Sequence, residues 1–138
     1  MDARRSALIL IVGDSAADLR LATDALETEG YVVERASDAD KAQDILERTV
    51  PDLILMDLAL PGTDGEMLAR KLRAESRLKH VPIIALTAYK MKGEGEKARR
   101  MDCDGYITKP LDTRKLPVQI AAFLVRGPGP ANGDPPRA

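Results

Sequence analysis

The chain has 138 residues, a length that suits one domain of ordinary size. Hydrophobic residues make up 44% of it, enough to build a core, which excludes a wholly disordered chain. A formal net charge of −1 gives no overall basic field for nucleic acid or a membrane surface, and the single cysteine excludes an intramolecular disulfide. No apolar stretch approaches the ~20 residues that span a bilayer. We therefore expect a cytoplasmic protein with no membrane partner and no direct nucleic-acid partner.

Short apolar runs alternate along the chain with segments of helical periodicity. The pattern predicts strands over residues 7–12, 31–36, 53–57, 82–87 and 105–108. A first helix is predicted after Ser15, an N-cap with Asp18 three residues on, and Gly30 is expected to end it. Ser37, with Asp40 three residues on, is expected to start the second helix.

Three more helices follow in the prediction. The third, over residues 65–76, is built around three apolar side chains, Met67, Leu68 and Leu72. A short fourth helix is predicted near residues 96–101. The last begins at or just after Asp112, and because Pro117 cannot lie deep inside a helix, we expect an irregular first turn or a late start.

Five strands separated by helices predict an α/β fold, with a parallel sheet covered by helices on both faces. The right-handed crossover rule then leaves few possible topologies. Residues 127–138 contain three Gly and four Pro, which predicts a disordered tail. The folded domain is accordingly expected to span residues 1–126.

Polar side chains lie at the ends of four predicted strands. Asp14 follows the first strand, Asp57 ends the third, Thr87 ends the fourth and Lys109 follows the fifth. In a parallel sheet these positions share one edge, where ligands of such sheets bind. Two carboxylates can hold a hard cation such as Mg²⁺, and a hydroxyl and an ammonium can bind the oxygens of a phosphoryl group.

Asp57 is the candidate nucleophile of this set. An aspartate is ionised at neutral pH, so it can attack without a general base and form an acyl phosphate. The chain lacks the Gly-rich loops that cradle nucleotide phosphates. We therefore expect a reactive phosphoryl carrier as the donor, and not ATP itself.

Three segments together resemble the receiver domain of two-component response regulators. They are LILMDLALPGTDG at 53–65, ALTA at 85–88 and DGYITKP at 104–110. The resemblance covers roughly residues 7–125. It implies a flavodoxin-like, doubly wound (βα)5 fold with strand order 2-1-3-4-5, and a phosphoacceptor in a phosphorelay that is not itself an enzyme.

The resemblance also implies the roles of the acids. Asp57 would accept the phosphoryl group from a phosphohistidine on a histidine kinase or a histidine phosphotransfer protein. Asp14, Asp57 and the backbone carbonyl of Ala59 would bind Mg²⁺.

The same resemblance assigns the switching residues. Lys109 would contact a phosphoryl oxygen, Thr87 would be the switch hydroxyl, and Tyr106 the aromatic side chain that moves inward behind it. A downstream protein would then bind, with the face formed by the fourth helix, the fifth strand and the last helix as its candidate docking surface.

One position departs from the family pattern, which usually has two adjacent acids after the first strand. Here the first of them is Gly13. The site has one carboxylate fewer, so Mg²⁺ should bind more weakly, while unphosphorylated Asp57 should meet less like-charge repulsion.

Two alternatives stay open at this point. The loss of the acid at Gly13 allows an atypical receiver that binds partners without being phosphorylated. An aspartyl-phosphate hydrolase is a third reading, but such enzymes carry a second Asp two residues after the nucleophile, where this chain has Ala59.

Overall fold

The computed structural model describes residues 7–58, 64–87 and 103–126. Its five strands form one parallel sheet in the order β2-β1-β3-β4-β5. The predicted strand order and fold class are confirmed, and each strand begins within one residue of its predicted start. The strands are β1 (Leu8–Val12), β2 (Val32–Ala36), β3 (Leu53–Asp57), β4 (Ile83–Thr87) and β5 (Gly105–Thr108).

Four helices lie in the described part of the chain. They are α1 (Ala16–Thr28), α2 (Ala39–Arg48), α3 (Asp64–Ala74) and α4 (Leu116–Arg126). The predicted helix near residues 96–101 and the predicted tail at 127–138 lie outside the described residues. Within those residues, no helix combines the length and the apolar character needed to cross a membrane.

Each face of the sheet buries its own apolar core. Successive strand side chains point to opposite faces, so the alternate residues Leu55 and Met56 of the central strand enter different cores. One core lies under α2 and α3, and the other lies under α1 and α4. Since β3 and β4 are buried at every position, their strand ends are rigidly placed.

The start of α1 is as predicted, and the start of α2 is not. The Ser15 hydroxyl accepts a hydrogen bond from the Asp18 backbone N–H at 3.2 Å. At α2 the N-cap is Asp38, whose carboxylate accepts from the Lys41 N–H at 2.8 Å. The prediction of Ser37 was wrong because its hydroxyl instead contacts the Lys41 ammonium, at 3.0 Å. Gly30 follows α1 with a φ of 93°, a left-handed conformation that favours glycine and ends the helix.

For α3 one sequence-based prediction is wrong, whereas for α4 the prediction is confirmed. Met67 is 52% exposed, so the prediction that it belongs to the buried side of α3 was wrong. The buried side of α3 runs through Leu68 and Leu72, and Met67 lies on the other side. The late start of the last helix is confirmed. Pro117 occupies the first turn of α4, where a missing N–H leaves no helical hydrogen bond unmade.

Candidate functional site

The strand ends that carry the predicted site share one edge of the sheet. Val12 of β1 pairs with Met56 of β3, which puts Gly13 beside Asp57. Thr87, the last residue of β4, pairs with Thr108, the last residue of β5. The residues that follow these strands therefore meet at this carboxyl edge, as the sequence predicted.

A short ion pair joins two of the predicted residues. The Lys109 Nζ lies 2.9 Å from Oδ2 of Asp57. Asp57 is 3% exposed, so this carboxylate is almost fully removed from bulk water. The backbone around it is fixed as well, because the N–H of Leu58 donates to the Leu86 carbonyl at 2.9 Å and extends the ladder past Asp57.

The backbone positions Lys109. Its N–H donates to the Thr87 carbonyl at 2.8 Å, which continues the pairing of β4 with β5 by one residue. The peptide bond from Lys109 to Pro110 is cis. Lys109 thus leaves the sheet directly beside the end of β4, and its side chain spans from there to Asp57.

The two predicted switch residues lie on neighbouring strands. Thr87 is 4% exposed at the end of β4. Tyr106 is half-buried in β5, opposite Ala85, and packs against the core under α2 and α3. The structure brings Thr87 to the same strand-end edge as Asp57 and places Tyr106 two residues before the end of β5.

Gly13 is buried against the candidate nucleophile. A Cβ atom at this position would lie 3.1 Å from the Asp57 Cβ and 3.5 Å from its Oδ2. That spacing is tight, so Asp57 would have to move by a few tenths of an ångström to admit a side chain. Asp14 follows with an exposed side chain. Ala59, whose carbonyl was predicted as a metal ligand, lies outside the described residues.

A third acid reaches the site from α1. Oδ2 of Asp18 lies 3.4 Å from the Lys109 Nζ, so the lysine contacts two carboxylates. From the sequence alone, Asp18 is expected only to take part in capping α1. Topology puts the first turn of α1, which contains Asp18, near the carboxyl edge, but it does not determine that Asp18 contacts Lys109.

The surroundings of Lys109 favour its charged form. Partial burial by itself would lower the pKa of the ammonium. The hydrogen bond and charge of Asp57, with the charge and hydrogen bond of Asp18, outweigh burial and raise the pKa above its usual value of 10.5. Lys109 is therefore a fixed positive charge at neutral pH, suited to bind an anionic oxygen.

The donor set fits a hard cation with few protein ligands. Asp14 and Asp57 offer carboxylate oxygens at the ends of neighbouring strands, and Mg²⁺ commonly takes one or two carboxylates together with waters. Among residues 7–58, 64–87 and 103–126, no group of three or more His, Cys, Asp or Glu side chains is arranged to hold a metal ion.

Comparison with known proteins identifies the family. The sequence model of the response regulator receiver domain matches residues 9–121. The chain belongs to the response regulator receiver family. Receivers act in two-component signal transduction, where the domain is a signalling phosphoacceptor and not a catalytic enzyme. A histidine kinase is the partner that such a domain implies.

Relatives with defined roles support this assignment. The receiver is 35% identical over 116 residues to the polar-differentiation response regulator DivK of Brucella anthropi, covering 84% of this chain and 94% of DivK. The receiver domain of the sensor histidine kinase PA1611 from Pseudomonas aeruginosa is 32% identical, with a TM-score of 0.79 over 87% of this chain and 98% of that one. That structure has a magnesium ion coordinated in its active-site cleft.

A chemotaxis protein has the same fold. The chemotaxis response regulator CheY4 of Vibrio cholerae superposes with a TM-score of 0.76 at 25% identity, over 85% of this receiver and 98% of CheY4.

Proposed function

We propose that Asp57 is the phosphoacceptor of this receiver. The observation that carries the proposal is the 2.9 Å contact between Lys109 Nζ and the buried Oδ2 of Asp57. In this contact a lysine ammonium lies against a buried aspartate side chain, at the edge of the sheet where ligands of such folds bind, which supports the proposal. The nearby end of β4 brings Thr87 to the same edge.

Phosphoryl transfer from a phosphohistidine to Asp57 needs no further reactant. A carboxylate oxygen of Asp57 attacks the phosphorus of a phosphohistidine, and a new O–P bond forms as the P–N bond breaks. The electron pair of that bond leaves with the imidazole nitrogen. Lys109 then binds a phosphoryl oxygen in place of the carboxylate oxygen that it contacts in the free protein.

We propose Asp14, Asp57 and the backbone carbonyl of Ala59 as the protein ligands of Mg²⁺. When bound, the ion would neutralise charge between the carboxylate and the incoming phosphoryl group. Asp14 and Asp57 supply hard oxygen donors of the kind that Mg²⁺ prefers. The magnesium seen in the related PA1611 receiver domain supports the assignment.

Signal output is proposed to pass through Thr87 and Tyr106. The hydroxyl of Thr87 would turn toward a phosphoryl oxygen, and Tyr106 would move inward from its half-buried position. Such a rearrangement biases an existing equilibrium between two conformations of the protein, which present different surfaces to a partner. The donor would be a histidine kinase or a histidine phosphotransfer protein in the cytoplasm, where ATP charges the donor histidine, and a downstream protein would bind the changed surface.

A mass measurement tests the phosphoacceptor. The protein is incubated with acetyl phosphate and Mg²⁺, and its intact mass is recorded. We expect the wild type to gain one phosphoryl group and Asp57→Asn to gain none. Asp52→Asn is the matched control, because Asp52 precedes the opposite end of β3, where its carboxylate accepts from the Leu8 N–H at 2.8 Å. This variant should be labelled like the wild type.

The same experiment separates the alternative function. If the wild type gained no mass at any Mg²⁺ concentration, the protein would be a receiver that binds partners without phosphorylation. The observation that favours this alternative is Gly13, which removes a metal-site acid and leaves Lys109 paired with Asp57 and Asp18.

A further inference from the structure

Lys109 has a second carboxylate partner that the proposed chemistry does not use. Its Nζ lies 2.9 Å from Asp57 Oδ2 and 3.4 Å from Asp18 Oδ2. The side chains of Asp18 and Lys109 are 30% and 22% exposed, so this contact is partly screened by solvent. The ammonium is thus held between the floor of the site and the start of α1.

The backbone that carries Asp18 is firmly placed. Its N–H donates to the Ser15 hydroxyl at 3.2 Å in the first turn of α1. The positive end of the helix dipole favours a carboxylate at this position. Buried residues further along the helix, Ala22 and Leu26, fix α1 against the sheet. Asp18 therefore offers its charge from a rigid element.

The two partners of Lys109 differ in what the reaction does to them. Phosphoryl transfer changes the oxygens of Asp57, so the lysine must exchange a carboxylate oxygen for a phosphoryl oxygen. Asp18 keeps its charge throughout. A lysine side chain has a flexible four-carbon stem, and holding it costs conformational entropy that a second anchor reduces.

We propose that Asp18 is a positioning residue for phosphoryl transfer, holding the Lys109 ammonium at the mouth of the site while its contact with Asp57 is exchanged. The proposal rests on Asp57 being the phosphoacceptor. Asp18 acts through Lys109 and does not touch the reacting atoms. Its effect on the reaction must therefore disappear when Lys109 is absent.

A double-mutant cycle measures that dependence. We expect Asp18→Asn to slow phosphorylation by acetyl phosphate about two- to five-fold, the range that a partly exposed ion pair supports. Asp24→Asn is the control, because it removes the same charge from an exposed position of α1 and should leave the rate unchanged. In a Lys109→Met background, Asp18→Asn should cause no further loss. An equal loss in both backgrounds, or an equal loss from Asp24→Asn, would overturn the proposal.

A second readout needs no phosphorylation. In ¹⁵N-labelled, metal-free protein, the ammonium of Lys109 should give a side-chain signal, assigned by its absence from Lys109→Met. The signal should broaden or vanish in Asp18→Asn and persist in Asp24→Asn. A signal that is absent from the wild type, or unchanged in Asp18→Asn, would contradict the anchoring. If the signal behaves as expected while Asp57 takes no phosphoryl group, the anchor stands and the proposed function fails.

Discussion

Asp57 and Asp104 lie at opposite edges of the sheet, and each pairs with a basic side chain in a different way. Asp104 directly precedes β5, and its Oδ2 accepts from the Arg73 Nη2 at 2.7 Å and from the Ile83 N–H at 2.8 Å. The same guanidinium donates to the carbonyls of Lys79 and Val81, both at 3.2 Å. This pair locks the connection between α3 and β4 to the start of β5.

The pair at the carboxyl edge has a looser geometry. Arginine presents several donors in a rigid planar fork, whereas lysine is a compact charge on a flexible stem. Arg73 uses its fork to join the Asp104 carboxylate to two backbone carbonyls, while the Lys109 ammonium is shared between the carboxylates of Asp57 and Asp18. The arginine pair thus stabilises the fold at one edge, and the lysine pair at the other edge has the freedom to exchange a contact.

The largest expected effect is a loss of stability that differs between the two pairs when the basic residue of each is replaced. Arg73→Met should lower the free energy of unfolding by about 3 kcal/mol, because it leaves a buried carboxylate without its cation and removes several charged hydrogen bonds. Lys109→Met also leaves a buried carboxylate, Asp57, without its cation, but it should cost less, about 2 kcal/mol, because Lys109 makes no counterpart to the hydrogen bonds from Arg73 to the carbonyls of Lys79 and Val81 in the described part of the chain. Urea unfolding in metal-free buffer measures both changes.

The control for that comparison is Arg70→Met, an exposed arginine on α3, which should change stability by less than about 0.5 kcal/mol. A loss from Lys109→Met equal to or greater than the loss from Arg73→Met would contradict the distinction between the pairs.

A smaller effect concerns β5, the strand that connects the two pairs. A Cβ at Gly105, its first residue, would clash with Cε1 of Phe123 on α4 and would lie 2.6 Å from Cζ of the same ring. Gly105→Ala should therefore destabilise the protein by about 2 kcal/mol through overpacking. Adding Phe123→Leu should recover part of that loss. An alanine variant as stable as the wild type in thermal unfolding would disprove the close contact.

The next effect concerns the acid that is missing from the carboxyl edge at Gly13. Gly13→Asp should lower the Mg²⁺ concentration for half-maximal phosphorylation about five-fold, as expected for an added interaction of about 1 kcal/mol. Gly13→Ala is the matched control, because it introduces the same 3.1 Å Cβ contact with Asp57 but no charge. The alanine variant should show no such decrease. Equal Mg²⁺ dependence in the wild type and Gly13→Asp would contradict the prediction that the missing acid weakens Mg²⁺ binding.

The smallest effect is a pH dependence. The folded-state pKa of Lys109 is raised above 10.5, so its ion pairs contribute stability fully below pH 10.5 and lose it as pH rises through the folded value. The difference in unfolding free energy between wild type and Lys109→Met should therefore shrink as the pH rises above 10.5. The decrease should be about a few tenths of a kcal/mol, because the lysine is partly exposed. Chemical unfolding across this range checks it, and a constant difference would contradict the raised pKa.

Local patterns in the sequence were enough to predict the sheet and the reactive edge. Buried strands read as unbroken apolar runs, as in Leu53–Asp57, and a parallel sheet brings their carboxyl ends together whatever the details of packing. Asp57 and Lys109 could therefore be predicted to meet, and they do, at 2.9 Å. The late start of the last helix followed from the chemistry of Pro117.

Local geometry at a helix start, and side-chain contacts away from the strand ends, could not be predicted from the sequence. Asp38 and Ser37 are both good caps, and only the geometry of the chain chooses Asp38. Asp104 and Arg73 are 31 residues apart, and no periodicity links them. The contact of Asp18 with Lys109 depends on where the first turn of α1 lies over the sheet, which spacing alone does not fix.

The most direct test of the central claim is to identify the residue that becomes phosphorylated. Borohydride reduces an aspartyl phosphate to homoserine, so the wild type is treated with acetyl phosphate and Mg²⁺, reduced, digested with trypsin and sequenced by mass spectrometry. We expect homoserine at position 57 and at no other acid. Homoserine at Asp14, Asp18 or Asp52, with Asp57 intact, would contradict it.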